Sequence, residues 1–284
     1  MIPAQFDYIA AKSLDEALTL LAKHKDDAKI LAGGHSLIPA MKLRLMQPAV
    51  LIDISKIKDL AYIREEGGQI RIGAMTTHYQ VESSDLLRRV CPLLPQTATH
   101  LGDVQVRNRG TIGGSLVHAD PAADWPAPIL ALDAELVVIG PKGERAIKAT
   151  DFFVDLLTTA LNAGEILREV RFIAPKGNSG QSYMKFRHPA SGFAVVGVAV
   201  TLTRDGGKCQ SAGVGITGAA PKPYKAGAVE KALKGAMLDA KSLAAAAAHA
   251  ADGVDVNSDL FASPEYRKHL AEIYTRRALE LAAK

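Results

Sequence analysis

Cysteine is almost absent: the 284 residues hold two, Cys91 and Cys209. An iron–sulfur cluster draws on four thiolates and a structural zinc site on a spaced set of Cys and His. Neither can be built from this chain, so any electron carrier it uses is organic or sits on another chain. A Cys91–Cys209 disulfide is disfavoured in a reducing compartment, and two buried free thiols are predicted. Charge of one sign is scarce as well. Lys+Arg 34 less Asp+Glu 30 gives +4, spread along the chain with no basic stripe carrying interleaved aromatics, which argues against nucleic acid. No apolar run reaches the length of a membrane span. The start, MIPAQFDYIAAKSLDEA, has an early acid and no apolar h-region, unlike a secretory signal, and a cytoplasmic location is expected. What is present, 48% hydrophobic and 23% charged residues, is the profile of a globular chain of about two domains and excludes disorder.

The coarse pattern is α+β. Ser13–Glu16 reads as a capping box opening a helix. Lys29–Ala32 and Val50–Ile54 read as strands, Ile63–Gly73 as a hairpin, and Leu86–Leu101 as a helix interrupted by Pro92 and Pro95. Ser36 is placed to cap a helix after it. Gly110–Val117 is predicted extended, Ala122–Leu132 helical, and Glu135–Ile139 with Arg145–Lys148 a strand pair. Thr150 is placed to cap a short helix, and Glu165–Ile173 reads as a strand. Ala174–Gly180 has linker composition. Beyond it the segments Gln181–Arg187, Ala194–Thr203 and Cys209–Thr217 are β-rich, with Asp205-Gly206 as a hairpin turn. Helices are predicted over Ala226–Ala251 and from Ser263-Pro264 toward Lys284. The boundary falls at 175/176, giving domains 1–175 and 176–284.

Two glycine loops share one chemistry. Ala32-Gly33-Gly34-His35-Ser36 and Thr111-Ile112-Gly113-Gly114-Ser115 each combine a β-like approach, paired glycines and a hydroxyl. Successive N–H groups of paired glycines can form a concave nest for phosphate oxygens, and a helix N-terminus after Ser36 would add a favourable dipole. Two such nests could clasp a pyrophosphate; the alternative is two tight turns. After the second loop, His118, Asp120 and Asp124 allow three readings: a sugar-hydroxyl acceptor, a loose metal set, or helix caps. Gly213–Gly218 matches G-x-G-x-x-G literally, but Pro221 and Pro223 leave no helix to follow it, so the glycines are read as letting strands pack closely. Gly34-His35-Ser36 lacks the last glycine of a nucleophile elbow, and no hydrolase is inferred.

The start Ile2-Pro3-x-x-Phe6-Asp7-Tyr8, the run AGGHSLIPAMKLRL over 32–45, and QVRNRGTIGGSLVHADPAADWP over 105–126 resemble the medium, FAD-binding subunit of carbon monoxide dehydrogenase. That subunit belongs to the xanthine dehydrogenase-like molybdenum hydroxylases. The resemblance covers nearly the whole chain. It implies a two-subdomain FAD-binding domain of the p-cresol methylhydroxylase/vanillyl-alcohol oxidase type, then a smaller domain of antiparallel sheet and helices. It places FAD on Ala32, Gly33, Gly34, His35 and Ser36, and on Thr111, Ile112, Gly113, Gly114 and Ser115. Further contacts are implied at Leu101, Asp124, Leu167 and Lys185. His188–Phe193 matches a loop that typically reads Ser-Gly-Asp-aromatic in that family; the Asp is missing here. The implied function is electron transfer from [2Fe-2S] clusters through FAD to an external acceptor. The clusters would lie on a small subunit and a molybdenum cofactor on a large one, in a dimer of heterotrimers. Two other readings stand beside it: a self-contained flavin-dependent oxidoreductase, and a binding protein whose glycine loops are turns.

Overall fold

The computed structural model describes residues 1–175 and 177–284. Its first layer holds β1 (Asp7–Ala10), α1 (Leu14–His24), β2 (Ala28–Leu31), α2 (Leu37–Lys42) and β3 (Val50–Asp53). The three strands are parallel in the order β1-β3-β2, with Asp7 and Ala28 both opposite Val50. The central strand reads Val-Leu-Ile-Asp and all four residues are buried, as a strand covered on both faces requires. Ser13 caps α1 by accepting from the Glu16 N–H at 3.1 Å. The Glu16 carboxylate accepts from Lys12 instead of closing the box on Ser13.

A second layer begins with β4 (Ile63–Glu66) and β5 (Gln69–Gly73), continues through α3 (His78–Ser83), α4 (Asp85–Val90), α5 (Leu93–Thr99), α6 (Val104–Arg109), α7 (Ile112–His118) and α8 (Pro126–Ala131), and returns as β6 (Glu135–Gly140), β7 (Gly143–Lys148), α9 (Ala149–Phe152), β8 (Phe153–Asp155), β9 (Thr158–Thr159) and β10 (Ile166–Ile173). β4, β5, β10, β6 and β7 form one antiparallel sheet in that order. Its buried face and α3–α8 enclose the largest core, around Trp125 and Phe152.

The third layer is the antiparallel sheet β11 (Ser179–Arg187), β12 (Ala194–Asp205), β13 (Lys208–Thr217), β14 (Tyr224–Lys225), covered by α10 (Gly227–Leu233), α11 (Ala240–Ala247) and α12 (Pro264–Ala282). Ser263 caps α12 and Pro264 occupies its first turn. In the G-x-G-x-x-G segment, a Cβ on Gly213 or Gly215 would strike the carbonyl of Ala131 or Ala127. The glycines let α8 lie directly on β13, so the close neighbour is a helix and not a strand.

Five local expectations are corrected. Gly110–Val117 is not extended: Ile112 onward is helical, with Thr111 accepting from the Gly114 N–H. Ala122–Leu132 is helical only from Pro126, because a proline ring clashes with a helical carbonyl four residues back. Ala226–Ala251 breaks into α10 and α11, since Ala236 and Gly235 exchange hydrogen bonds with Cys209 at the edge of β13. Ser36 holds the N-cap position of α2 with helical backbone angles and no capping hydrogen bond. Thr150 lies inside α9, whose N-cap position is Lys148. The linker expected over 174–180 includes Lys176, which lies outside the described residues; Ser179 and Gly180 are already strand. Cys91 and Cys209 are free and buried in separate cores.

Candidate functional site

The two glycine loops meet. Ala32–Ser36 joins β2 to α2, and Thr111–Ser115 opens α7. A Cβ on Gly33 would strike the Arg109 carbonyl and lie 2.7 Å from Gly110 Cα. A Cβ on Gly114 would lie 3.5 Å from that of Ala32. The backbones approach so closely that only glycine fits at Gly33. Gly34 has φ +80°, the left-handed region that glycine alone enters without strain.

Their amides are employed differently. The N–H groups of Gly33, Gly34, His35 and Ser36 donate to no part of the chain among the described residues. The carbonyls of Gly34 and Ser36 are turned into α2, where they accept from Ile38 at 3.0 Å and Ala40 at 3.2 Å. Four successive free donors remain, which suits anionic oxygens. The second loop is spent on its own fold. Ile112 donates to Thr76 O at 3.0 Å, Gly113 to Ala74 O at 2.9 Å, Ser115 to Thr111 O at 3.0 Å and Gly114 to Thr111 Oγ1 at 3.1 Å. The expectation of two matching amide nests is therefore corrected: the first loop has one, while the second offers the hydroxyl of Ser115. Ile112 is fully buried in the core, and Gly113 packs with its Cβ position 2.5 Å from that of Ala74.

Asp124 and Lys185 come together from 61 residues apart. Lys185 Nζ donates to the carboxylate at 2.9 Å, and the Tyr183 hydroxyl donates to Oδ1 at 2.5 Å. The lysine also donates to His100 O at 3.3 Å. The ion pair is nearly enclosed, its side chains 1% and 5% exposed. Burial pushes the Asp124 carboxyl above the usual carboxylate range, against the pull of Lys185 and Tyr183. Burial likewise lowers Lys185 against the pull of Asp124. Neither charge is left without a partner, which is the condition for an ion pair to persist inside a protein. Asp124 caps no helix, Asp120 accepts from the Ala122 N–H at 2.8 Å, and no metal set forms from His118, Asp120 and Asp124 among the described residues.

Leu101 follows His100 and is buried; its carbonyl accepts from Arg107 at 3.1 Å. Leu167 lies in β10 opposite Val138, one residue before Arg168, whose carbonyl accepts from the Ala74 N–H. Both leucines belong to the core that holds Ile112. Among the described residues no hydrogen bond or ion pair links the Asp124–Lys185 pair to the free amides of the first loop. Phe193 is exposed in a closed turn where His188 N donates to Phe193 O at 2.8 Å.

Three residues were not foreseen. Tyr183 shares a strand face with Lys185, and strand alternation alone pairs them. Trp125 and His78 form a buried hydrogen bond, indole N–H to Nδ1 at 3.0 Å. The signal for Trp125 was its place in the second motif; for His78 it was Thr77-x-x-Gln80, a capping box that fixes where α3 begins.

Two family models divide the chain between them. Residues 4–174 match the FAD binding domain in molybdopterin dehydrogenase, and residues 181–282 match the CO dehydrogenase flavoprotein C-terminal domain. The carbon monoxide dehydrogenase medium chain of Afipia carboxidovorans is 41% identical over 99% of this chain and 98% of its own length. The glyceraldehyde dehydrogenase medium chain of Sulfolobus acidocaldarius is 33% identical over the full length of both. Among solved structures, CO dehydrogenase from Oligotropha carboxidovorans superposes with TM-score 0.97 at 41% identity, covering 100% of this chain and 99% of the other. Quinoline 2-oxidoreductase from Pseudomonas putida 86 gives 0.93 at 33% identity, covering 100% and 98%. Glycine loops in contact, free amides on one of them and full-length likeness in both parts of the fold agree: this chain belongs to the FAD-binding medium subunits of the molybdenum hydroxylase-type dehydrogenases.

Proposed function

We propose that the chain is the electron-transfer subunit of a molybdenum hydroxylase complex. Electrons enter from [2Fe-2S] clusters on a small subunit and leave through FAD to an external acceptor. A large subunit carries the molybdenum cofactor and the substrate site. The assembly is a dimer of heterotrimers in the cytoplasm, and the chain divides at 175/176. One observation carries the reading: four consecutive amides, Gly33 to Ser36, that find no acceptor among the described residues, beside a second loop that approaches them closely enough to exclude a side chain at Gly33.

In this reading the first loop binds the FAD diphosphate through main-chain donors, with the Ser36 and Ser115 hydroxyls beside them. Ala32, His35 and Gly114 form the walls, backed from the core by Thr111, Ile112 and Gly113. Bound FAD supplies the one- and two-electron redox chemistry. Leu101 and Leu167 offer apolar contact. Asp124 has spent two of about four acceptor sites on Tyr183 and Lys185; the remainder can accept from a sugar hydroxyl. Lys185 holds that carboxylate in place and offsets its charge. The test is native co-purification. The reading expects near-stoichiometric FAD on this chain, together with an iron–sulfur subunit and a molybdenum subunit. A lone chain that oxidises an organic substrate by itself would favour the self-contained oxidoreductase instead.

A further inference from the structure

Beneath the loops lies a buried pair that the proposed function does not use. Trp125 is fully enclosed and donates its indole N–H to His78 Nδ1 at 3.0 Å. His78 is 4% exposed, and its backbone N–H donates to Gly110 O at 2.9 Å. The edge of its ring rests on Gly110: a Cβ there would lie 2.6 Å from Nε2 and 2.8 Å from Cδ2. Gly110 in turn rests on Gly33, whose Cβ position is 2.7 Å from Gly110 Cα. Trp125, His78, Gly110 and Gly33 are thus stacked without slack from the core to the free amides. Close-packed interiors transmit small displacements along such a stack. Burial, with His35 and Arg107 adding to it, holds His78 near pKa 4 and the ring neutral. With Nδ1 accepting from the indole, its proton stays on Nε2.

We propose that His78 is a positioning residue for the cofactor: fixed by Trp125, its ring sets the height of Gly110 and hence the separation of the two loops that FAD bridges. This rests on the reading of those loops as the FAD cradle. His78→Asn keeps an acceptor for Trp125 but withdraws the ring edge from Gly110. Gly110→Ala adds a methyl that the ring resists, with the Val106 carbonyl, 3.0 Å away, as its next neighbour.

The test is a double-substitution cycle on the full-length chain, read by FAD titration of the apoprotein, with thermal melting of each apoprotein as a control for folding. His78→Asn is expected to weaken FAD about tenfold, and Gly110→Ala to weaken it at least as much. The combined variant should recover to within about threefold of the unsubstituted chain, because the alanine methyl occupies the space the ring vacated. The bound flavin's visible spectrum should shift in each single variant and return in the double. Unchanged FAD affinity in a folded His78→Asn chain would overturn the proposal, as would a double variant whose loss is the product of the two single losses. If the unsubstituted chain takes up no FAD, the reading of the cradle falls first.

Discussion

The two glycine loops look alike as strings and differ as structures. Ala32–Ser36 leaves four amides without acceptors among the described residues and uses Gly34 in the left-handed region; Thr111–Ser115 opens a capped helix whose first donors are consumed by Thr76, Ala74 and Thr111. Paired glycines therefore do two jobs. In the first loop they free donors; in the second they remove Cβ atoms so that a helix can pack on Ala74 and face Ala32. A shared motif reports shared sterics, and only the hydrogen-bond inventory separates a binding loop from a supporting one.

Gly33→Val drives a branched side chain into the Arg109 backbone, which cannot yield as a side chain end would. A stability loss of about 3 kcal/mol or more, by urea unfolding, with no FAD retained is expected; a folded variant with stoichiometric FAD would contradict the contact. The support beneath the loops should make stability pH-dependent. His78 is held near 4 in the fold and sits near 6.5 when unfolded. The unfolded chain then binds the extra proton between these values, so stability falls as pH drops from about 6.5 through 4, by about 3 kcal/mol in all. His78→Asn should remove that component of the pH profile, and a profile left unaltered by the substitution would refute the assignment.

Gly114→Val should abolish FAD retention at a smaller cost, about 1–3 kcal/mol, because its nearest neighbour is a hydroxyl at 2.8 Å and not backbone. Retained FAD would move the cofactor off this wall. Removing a single hydroxyl from each loop has the smallest effect. Thr111→Ala removes a working helix cap and should cost about 1 kcal/mol in unfolding measurements. Ser36→Ala removes a hydroxyl that caps nothing. Its stability should stay within about 0.5 kcal/mol while FAD binding weakens a few-fold; the reverse pattern would exchange the roles of the two loops.

Much of this was legible in the sequence. The β-rich segments Gln181–Arg187, Ala194–Thr203 and Cys209–Thr217 match β11–β13 to within a few residues, and Ser263-Pro264 marked the start of α12. The resemblance carried by 32–45 and 105–126 identified the family. What was not legible depended on distant partners. Gly113 and Gly114 have low helix propensity, yet α7 forms because Thr111 caps it and Ala74 leaves no room for a side chain at Gly113. The alanines of 226–251 favour one helix, but hydrogen bonds to Cys209 hold Gly235 and Ala236 against a strand edge. Asp124 met its partners across 59 and 61 residues, a distance that no local pattern spans. That the second loop's amides were spent became visible only with Thr76 and Ala74 in place.

The most direct measurement is amide hydrogen exchange on the full-length chain with and without FAD. Without FAD, the N–H groups of Gly33, Gly34, His35 and Ser36 should exchange fast, while those of Ile112 and Gly113 are already slow. With FAD bound, the first four should become protected and the other two should change little. Stoichiometric FAD that leaves Gly33–Ser36 exchanging as before would contradict the account.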